Sequence, residues 1–508
     1  MAPSYNATRW LFLRLLAVVF LIAFVSYWVQ LDGLIGSEGI LPAADFMASL
    51  HSLGPSGWWQ APTLCWFGAS DAVLHTLAAS GTVLSILLLA DVAPGPVLLL
   101  LWALYLSLVV VGQTFFSFQW DILLLETALT SLFIAPWRLR PRLPPAEGRV
   151  PRAGWWLLRL LLFKLMFLSG ITKLVCLDET WWRLSALDFH YFTQPLPVWT
   201  SWYAQHLPRG FQRASVAVMF AVELGAPFLL FLPRRFRIGG AAAIAGLMFL
   251  IAGTGNYGFF NLLTLALCVT WLDDELVNRW LPARWRATSP VEANAQSFRA
   301  SRAIYAIAIG VVAFASSLSL VDEIVRTRPP GRIGGIPGKL LDYGAAYVAA
   351  GDPVLTLVDP FHSINGYGLF RAMTTKRPEL AIETSDDGAT WHEVLFPYKA
   401  GDVHRRPRFA APHQPRLDWQ MWFAALNPRR AGTWLEGLML RILEGSPPVL
   451  RLLDDPVLLE KRPRFIRLVM YDYRFTTSEE AAASGGAWWA RERRGELTAA
   501  LSRDSFRR

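Results

Sequence analysis

Six ionisable side chains stand where a polypeptide of this kind tolerates them least. Asp121 and Glu126, then Arg159, Lys164 and Lys173, then Glu223, all fall within long apolar runs. At mid-bilayer each such charge costs about 2.5–3.5 kcal/mol on insertion scales, so each needs a partner or a task. Two readings are open. The charges form structural ion pairs, or Lys173, Glu126 and Glu223 form a buried acid/base set. Asp121, Arg159 and Lys173 lie near the ends of their runs, where their heads can snorkel to the interface. Glu126 and Glu223 are harder to dismiss in that way. On a helix, Arg159, Phe163, Met166, Gly170 and Lys173 share one face, and Lys164 points elsewhere.

The second chemical constellation is "APHQPRLDWQMWFAAL", Ala411 to Leu426. It packs His413, Gln414, Arg416, Asp418, Trp419, Gln420, Trp422 and Phe423 into one stretch. Asp418 reads as the N-cap of a short helix, its carboxylate accepting hydrogen bonds from free amides of the first turn. That helix presents Trp419, Trp422 and Phe423 within one turn. Either these rings form a packed seam, with Arg416 and Asp418 pairing to hold the loop, or the segment borders a binding face, where Trp, Tyr and Arg are the usual anchors. At least one ring is expected to point inward, and a second to stay partly exposed if the segment borders such a face.

Other patterns carry less. "GTGNYG", Gly253 to Gly258, matches a dinucleotide fingerprint, but it joins two apolar runs rather than a strand and a helix, so it reads as a tight turn. Four of the eight histidines, His362, His392, His404 and His413, lie late in the chain without ligand spacing. No metal site and no cofactor is expected. Nucleophile-elbow, zinc-peptidase and C-x-x-C patterns do not occur. Cys65, Cys176 and Cys268 are too few for a disulfide framework.

The elements that position these groups follow from hydropathy. The 508 residues are 54% hydrophobic and 17% charged, and the apolar residues cluster in runs long enough to cross ~30 Å of hydrocarbon. The first run, Trp10 to Val29, lacks a cleavage site and reads as an uncleaved anchor. Further runs cover 72–90, 94–111, 119–135, 155–176, 213–232, 237–253, 256–273 and 303–321. The expectation is a polytopic α-helical membrane protein of about nine spans. Its net charge of +9 sits largely in short loops, which argues against nucleic-acid binding and sets topology instead. Loop 136–153 carries Arg138, Arg140, Arg142, Arg149 and Arg152; Arg234, Arg235 and Arg237 follow 232; and loop 274–302 carries Arg279, Arg284, Arg286, Arg299 and Arg302. The segment 30–71 has neither lysine nor arginine. Arginine-rich loops are cytoplasmic by the positive-inside rule. The N-terminus is then cytoplasmic, and the chain beyond about 322 lies in the ER lumen or periplasm.

Residues 1–325 thus read as a membrane domain, and 326–344, opening on "RTRPPGRIGGIPG", as a Pro/Gly linker. Residues 345–480 read as a non-cytoplasmic β-rich domain, a β-sandwich with short helices. "ELAIETS" and "WHEVLFPY" flank the hairpin turn "DDGAT", Phe465 to Phe475 is a strand, and "TWLEGLMLRILEG" is an amphipathic helix. Residues 481–508 read as a charged tail, frayed or helical.

The run from Tyr367 to Trp422 resembles the lipase maturation factor family. Its Y-G-L-F…M-T-T-x-R-P-E block, S-x-D-G-x-x-W turn, Y-K-x-G-D loop and P-H-Q-P-R-L-D-W-Q-M-W segment stand here in order, and "FSFQWDILLLETALTSLFIAPW" and "IAGTGNYGFFNLL" are similar too. The resemblance implies a membrane-resident maturation factor. Animal members sit in the ER membrane and help secreted lipases reach an active fold, the lumenal domain engaging the client. The alanine- and arginine-rich composition favours a bacterial inner membrane. The implied partners are an exported, lipase-like client and membrane lipid, with Tyr367, Arg377, Trp391, His413, Gln414, Arg416, Asp418, Trp419 and Trp422 as motif or client-binding residues. The family's link to ER redox balance has no counterpart in an outer domain without cysteine. The membrane part is also similar to the vitamin K-dependent gamma-glutamyl carboxylase module. "FLSGITKLVCLDETW" places Lys173 where that module has its catalytic base, and Glu223 falls in a similar acidic span, but "IAGTGNYGFFN" lacks the module's histidine. That resemblance implies an alternative, an enzyme acting on a lipid or quinone-like substrate.

The topology predicts that an alkaline phosphatase fusion at residue 480 is active and one at residue 145 inactive. Reversed activities would contradict the assignment of sides.

Overall fold

Each of the nine apolar runs contains a helix in the computed structural model, which describes residues 4–140, 150–286, 299–329 and 331–506. The helices are α1 (Asn6–Trp28), α2 (Asp71–Leu89), α3 (Pro94–Val111), α4 (Gln119–Leu132), α5 (Arg152–Val175), α6 (Arg209–Phe220), α7 (Arg234–Thr254), α8 (Phe260–Val269) and α9 (Arg299–Thr327). A π-helical turn, Ala221–Gly225, and a 3-10 segment, Ala226–Phe231, continue α6. Six of these units are long and apolar enough to cross a membrane: α1, α2, α3, Arg209–Phe231, α7 and α9. Length and composition alone thus support six of the nine expected crossings. α4 and α8 have only 14 and 10 residues, below the ~20 a crossing needs, and α5 carries Arg159, Lys164 and Lys173. Arg142, Arg149 and residues 287–298 of the arginine-rich loops lie outside the described residues.

α1 is the axis of the bundle, with Phe12, Leu16, Phe20, Phe24 and Tyr27 fully buried and α2 and α8 against it. Contacts sort the connections to two ends. At one end Asp274 accepts from the Asn6 and Thr8 amides at 2.7 and 2.9 Å, Arg234 pairs with Asp273 at 2.5 Å, and Arg138 pairs with Asp91 at 2.6 Å. At the other end stand residues 30–71, the "GTGNYG" turn and the C-terminal domain.

Three expectations change in the C-terminal part. The linker gives way to a helix, α10 (Gly335–Val358), which begins inside it and continues into the segment assigned to the β-rich domain. Pro337 falls in the first turn, where a missing N–H costs nothing. α10 lies against α9, and Gly344 and Gly351 leave room for Val321 and Leu318. The sandwich is instead one antiparallel sheet ordered β2-β1-β3-β4, formed by β1 (Arg377–Ser385), β2 (His392–Glu393), β3 (Phe465–Phe475) and β4 (Trp489–Glu496). Two helices, α11 (Arg416–Leu426) and α12 (Thr433–Glu444), contact β1 and β3 and take the place of a second sheet. The charged tail supplies β4. Its charges are those of an edge strand, and they pair across the sheet, Arg491 with Glu393 at 2.6 Å and Arg494 with Asp472.

Candidate functional site

The buried charges do not stand free in the bundle. Two of them, Asp121 and Glu126, are where the C-terminal domain is fastened to it. Arg416, in the first turn of α11, reaches into the bundle and meets Asp121 of α4 in a bidentate pair, both bonds at 2.8 Å, with both side chains fully buried. The guanidinium also donates to the Phe115 carbonyl at 2.6 Å and lies 3.7 Å from the Phe116 ring centroid. Tyr105 donates to the same carboxylate at 2.5 Å. Planar guanidinium and carboxylate match in shape, so the pair fixes orientation as well as distance. The expected Arg416–Asp418 pair is absent. Asp418 is not the helix cap either, since that position is Pro415. Its carboxylate turns away from the helix end and accepts the Tyr398 and Lys399 amides, both at 2.8 Å.

Glu126 is the second fastening. Lys164 of α5 pairs with it, and Tyr367 donates its hydroxyl to the other carboxylate oxygen at 2.6 Å. The Asn365 amide adds a bond at 3.1 Å. Thus the "NGYG" loop after α10 enters the bundle and closes over a helix carboxylate. Arg159 is buried too, donating to the Thr270 carbonyl at 2.9 Å. Asp121, Arg159 and Lys173 are therefore interior groups with partners, not snorkelling ones.

Lys173 and Glu223 form the third pair, at 2.7 and 3.0 Å, and Lys173 also donates to the Ser169 carbonyl at 2.9 Å. The ammonium's three donors are used. Glu223 sits on the π-helical turn, an irregularity frequent at functional positions. Gly170 permits the approach, since a Cβ there would lie 2.8 Å from Leu224 and 3.0 Å from the Glu223 Cβ. His190 approaches this corner from the helix Leu187–Thr193, 3.3 Å from the Tyr257 hydroxyl, which donates to Gln194 at 2.7 Å. Burial, with the Lys173 charge adding, lowers the His190 ring to about 4, so it is neutral. Sequence reading missed His190 because it stands outside the apolar runs. Glu126 does not join Lys173, so the structure brings together two of the three candidate acid/base residues.

The remaining motif residues are mostly interior. Arg377 is buried and donates to the carbonyls of Phe192, Gln194 and Pro195. Trp422 donates to the Thr193 carbonyl at 2.9 Å, and Trp419 contacts Trp120, Phe118 and Tyr257. Gln414 is fully buried against Gly258, whose φ of +54° and lack of a side chain both suit the turn. His413 is half-buried, 3.0 Å from the Ser26 hydroxyl. Trp391 is partly exposed, with Arg467 stacked 4.0 Å from its ring. Phe423 is the exposed ring of α11. The bundle's own contributors were also missed. Gln30 accepts from the Arg416 amide at 2.9 Å and donates to the Gln414 carbonyl at 2.8 Å. Asn256 accepts the Ala410 amide at 2.7 Å and donates to the Arg408 carbonyl at 2.8 Å. Ser26, near the end of apolar helix α1, and Gln30, two residues beyond it, were the available signal.

The arrangement defines an integral membrane protein whose C-terminal domain is locked to its helical bundle by buried, hydrogen-bonded charges. No metal-ligating cluster occurs among the described residues. Residues 7–279 match the lipase maturation factor transmembrane domain and residues 363–499 the lipase maturation factor C-terminal domain. Lipase maturation factor 2 of Rattus norvegicus is 35% identical over 588 residues, covering 96% of this chain and 82% of the relative. The Homo sapiens lipase maturation factor 2 is 34% identical over 582 residues, covering 95% and 81%. Lipase maturation factor 1 of Bos taurus is 30% identical over 534 residues, covering 100% and 91%. No solved structure matches. The chain belongs to the lipase maturation factor family.

Two titrations at the joint oppose each other. Burial raises the Asp418 carboxyl from 3.8 to about 6, so the folded state binds the extra proton between those values and stability falls as pH rises. Burial, with Arg416 adding, lowers His413 from 6.5 to about 4, so the unfolded state binds the extra proton and stability rises over nearly the same window. Relative to the parent chain, Asp418→Asn should gain stability as pH rises from about 4 to 6, and His413→Gln should lose it. Melting in detergent across that range checks both signs, and parallel curves would contradict them.

Proposed function

We propose that the chain is a membrane-anchored maturation factor that assists the folding or assembly of exported, lipase-like proteins. The observation that carries this reading is the joint. A domain matching the family's C-terminal model is held rigidly against the membrane bundle, with most of its motif residues spent on that attachment. Family membership supports the lipase client, because the relatives carry that activity in their names. On this reading the bundle fixes the domain's position and orientation, and the client meets the domain beside the joint, where Phe423 packs on Phe118 and Trp419 yet stays exposed. The N-terminus is cytoplasmic, α1 to α9 make nine passages with α4 and α8 sheltered inside protein, and the C-terminal domain faces the ER lumen or periplasm. The gathering of the N-terminus, Arg138 and Arg234 at one end supports that orientation.

The alternative, an enzyme using Lys173 as base with Glu223 and Glu126, fits the geometry less well. An ammonium donating to both Glu223 oxygens and to the Ser169 carbonyl leaves no donor for a substrate, and removing it would strand a buried carboxylate. The nearby His190 and Tyr257 are the observation that keeps an active site at this corner in view.

Removing the chain from its native membrane should lower the specific activity of an exported lipase without changing the amount synthesised. Phe423→Ala should change the stability of the full chain by no more than a surface substitution does, about ±0.5 kcal/mol, and reduce lipase capture several-fold. Unchanged lipase activity in the deletion would sink the proposal. Unchanged capture by the variant would move the client face elsewhere.

A further inference from the structure

We propose that an open cavity of about 470 Å³, lined by Trp199, Arg405, Arg406, Pro407, Arg408 and Phe409, binds the anionic headgroup of a phospholipid at the membrane boundary. Its placement is set by bonds to the end of α7. Trp199 opens the short helix Trp199–Gln205, whose Thr200 and Ser201 hydroxyls donate to the Gly253 and Thr254 carbonyls, the last two of α7. The opposite wall is tied to the same place. Asn256, two residues beyond α7, clamps the backbone of the arginine loop through the Arg408 carbonyl and the Ala410 and Ala411 amides. Both walls therefore meet at the end of α7, and three residues, 206–208, join the short helix to the start of α6 at Arg209.

The lining suits a phosphate headgroup. Two of the three arginines, Arg405 and Arg408, share one carboxylate, that of Asp454. Arg406 has no acidic partner among the described residues. Its guanidinium lies 4.4 Å from the Trp199 ring centroid, which holds it at the cavity while leaving its N–H groups free to donate. Below the cavity, Phe249 and Leu250 in the last turns of α7 are exposed, a surface for the acyl chain of a lipid held above by its phosphate. Trp199 and Phe409, themselves in edge contact, supply the amphipathic rings that favour the headgroup level. A free phosphate would use only the arginines. A phospholipid uses both parts.

Native mass spectrometry of the full chain in neutral detergent tests this, with phosphatidylglycerol, phosphatidylcholine and inorganic phosphate as the added probes. The expected result is retention of phosphatidylglycerol over phosphatidylcholine, reduced about fivefold for each arginine removed in Arg406→Gln and Arg406→Gln/Arg408→Gln. Millimolar phosphate should not displace the lipid. Arg406→Gln breaks no ion pair, and its unchanged melting temperature keeps the comparison valid if the double variant is unstable. Equal retention of the two lipids, a preference undiminished in Arg406→Gln, or complete displacement by phosphate would overturn the proposal. So would arginine-dependent retention of an acidic peptide in place of the lipid.

Discussion

The Arg416–Asp121 pair is the interaction on which the rest of the arrangement depends. Both groups are withdrawn completely from solvent, and the attraction between them has to offset a desolvation cost of several kcal/mol per ion. The structure meets that requirement with Tyr105, the Phe115 carbonyl and the Phe116 ring around the pair. Such a pair adds little stability over a well-packed apolar replacement, but its geometry admits one alignment. With Arg416 placed, α11 lies so that Trp422 reaches the Thr193 carbonyl, Asp418 holds the Tyr398–Lys399 turn and Gln414 seats on Gly258.

The other two pairs extend the same principle. Glu126 is shared between a helix lysine and the tyrosine of an entering loop, so the bundle is incomplete without its C-terminal domain. Lys173 and Glu223 close the bundle on itself where Gly170 allows the π turn to approach. Charges costly in a bilayer are retained where each specifies one contact between distant parts of the chain.

The helices of the bundle were legible because an apolar run of about 20 residues has few other fates. The need of Glu126 and Glu223 for partners was legible for the same reason. The identity of Asp121's partner was not, because Arg416 lies 295 residues away and no local pattern encodes that pairing. Helix α10 was hidden by the Pro and Gly residues at its start, which mark a helix entry as readily as a linker. Strand β4 was hidden by its charges, which an edge strand and a solvated tail share. Asp418 followed the rule for a cap in sequence, but burial gave its carboxylate two amides from another loop. Most of the motif residues are set in the attachment, which no local pattern in the sequence encodes.

The account stands or falls on whether Asp121 and Arg416 act as one unit joining the two parts. A double-mutant cycle in detergent, using Asp121→Asn, Arg416→Gln and the combined variant, measures this directly. Each single change leaves a buried charge unpaired and should destabilise by about 3–5 kcal/mol. The combined variant should lose far less than the sum, with a coupling of about 0.5–3 kcal/mol or more. Additive losses, or single variants as stable as the parent chain, would contradict the claim that this pair holds the C-terminal domain to the membrane bundle.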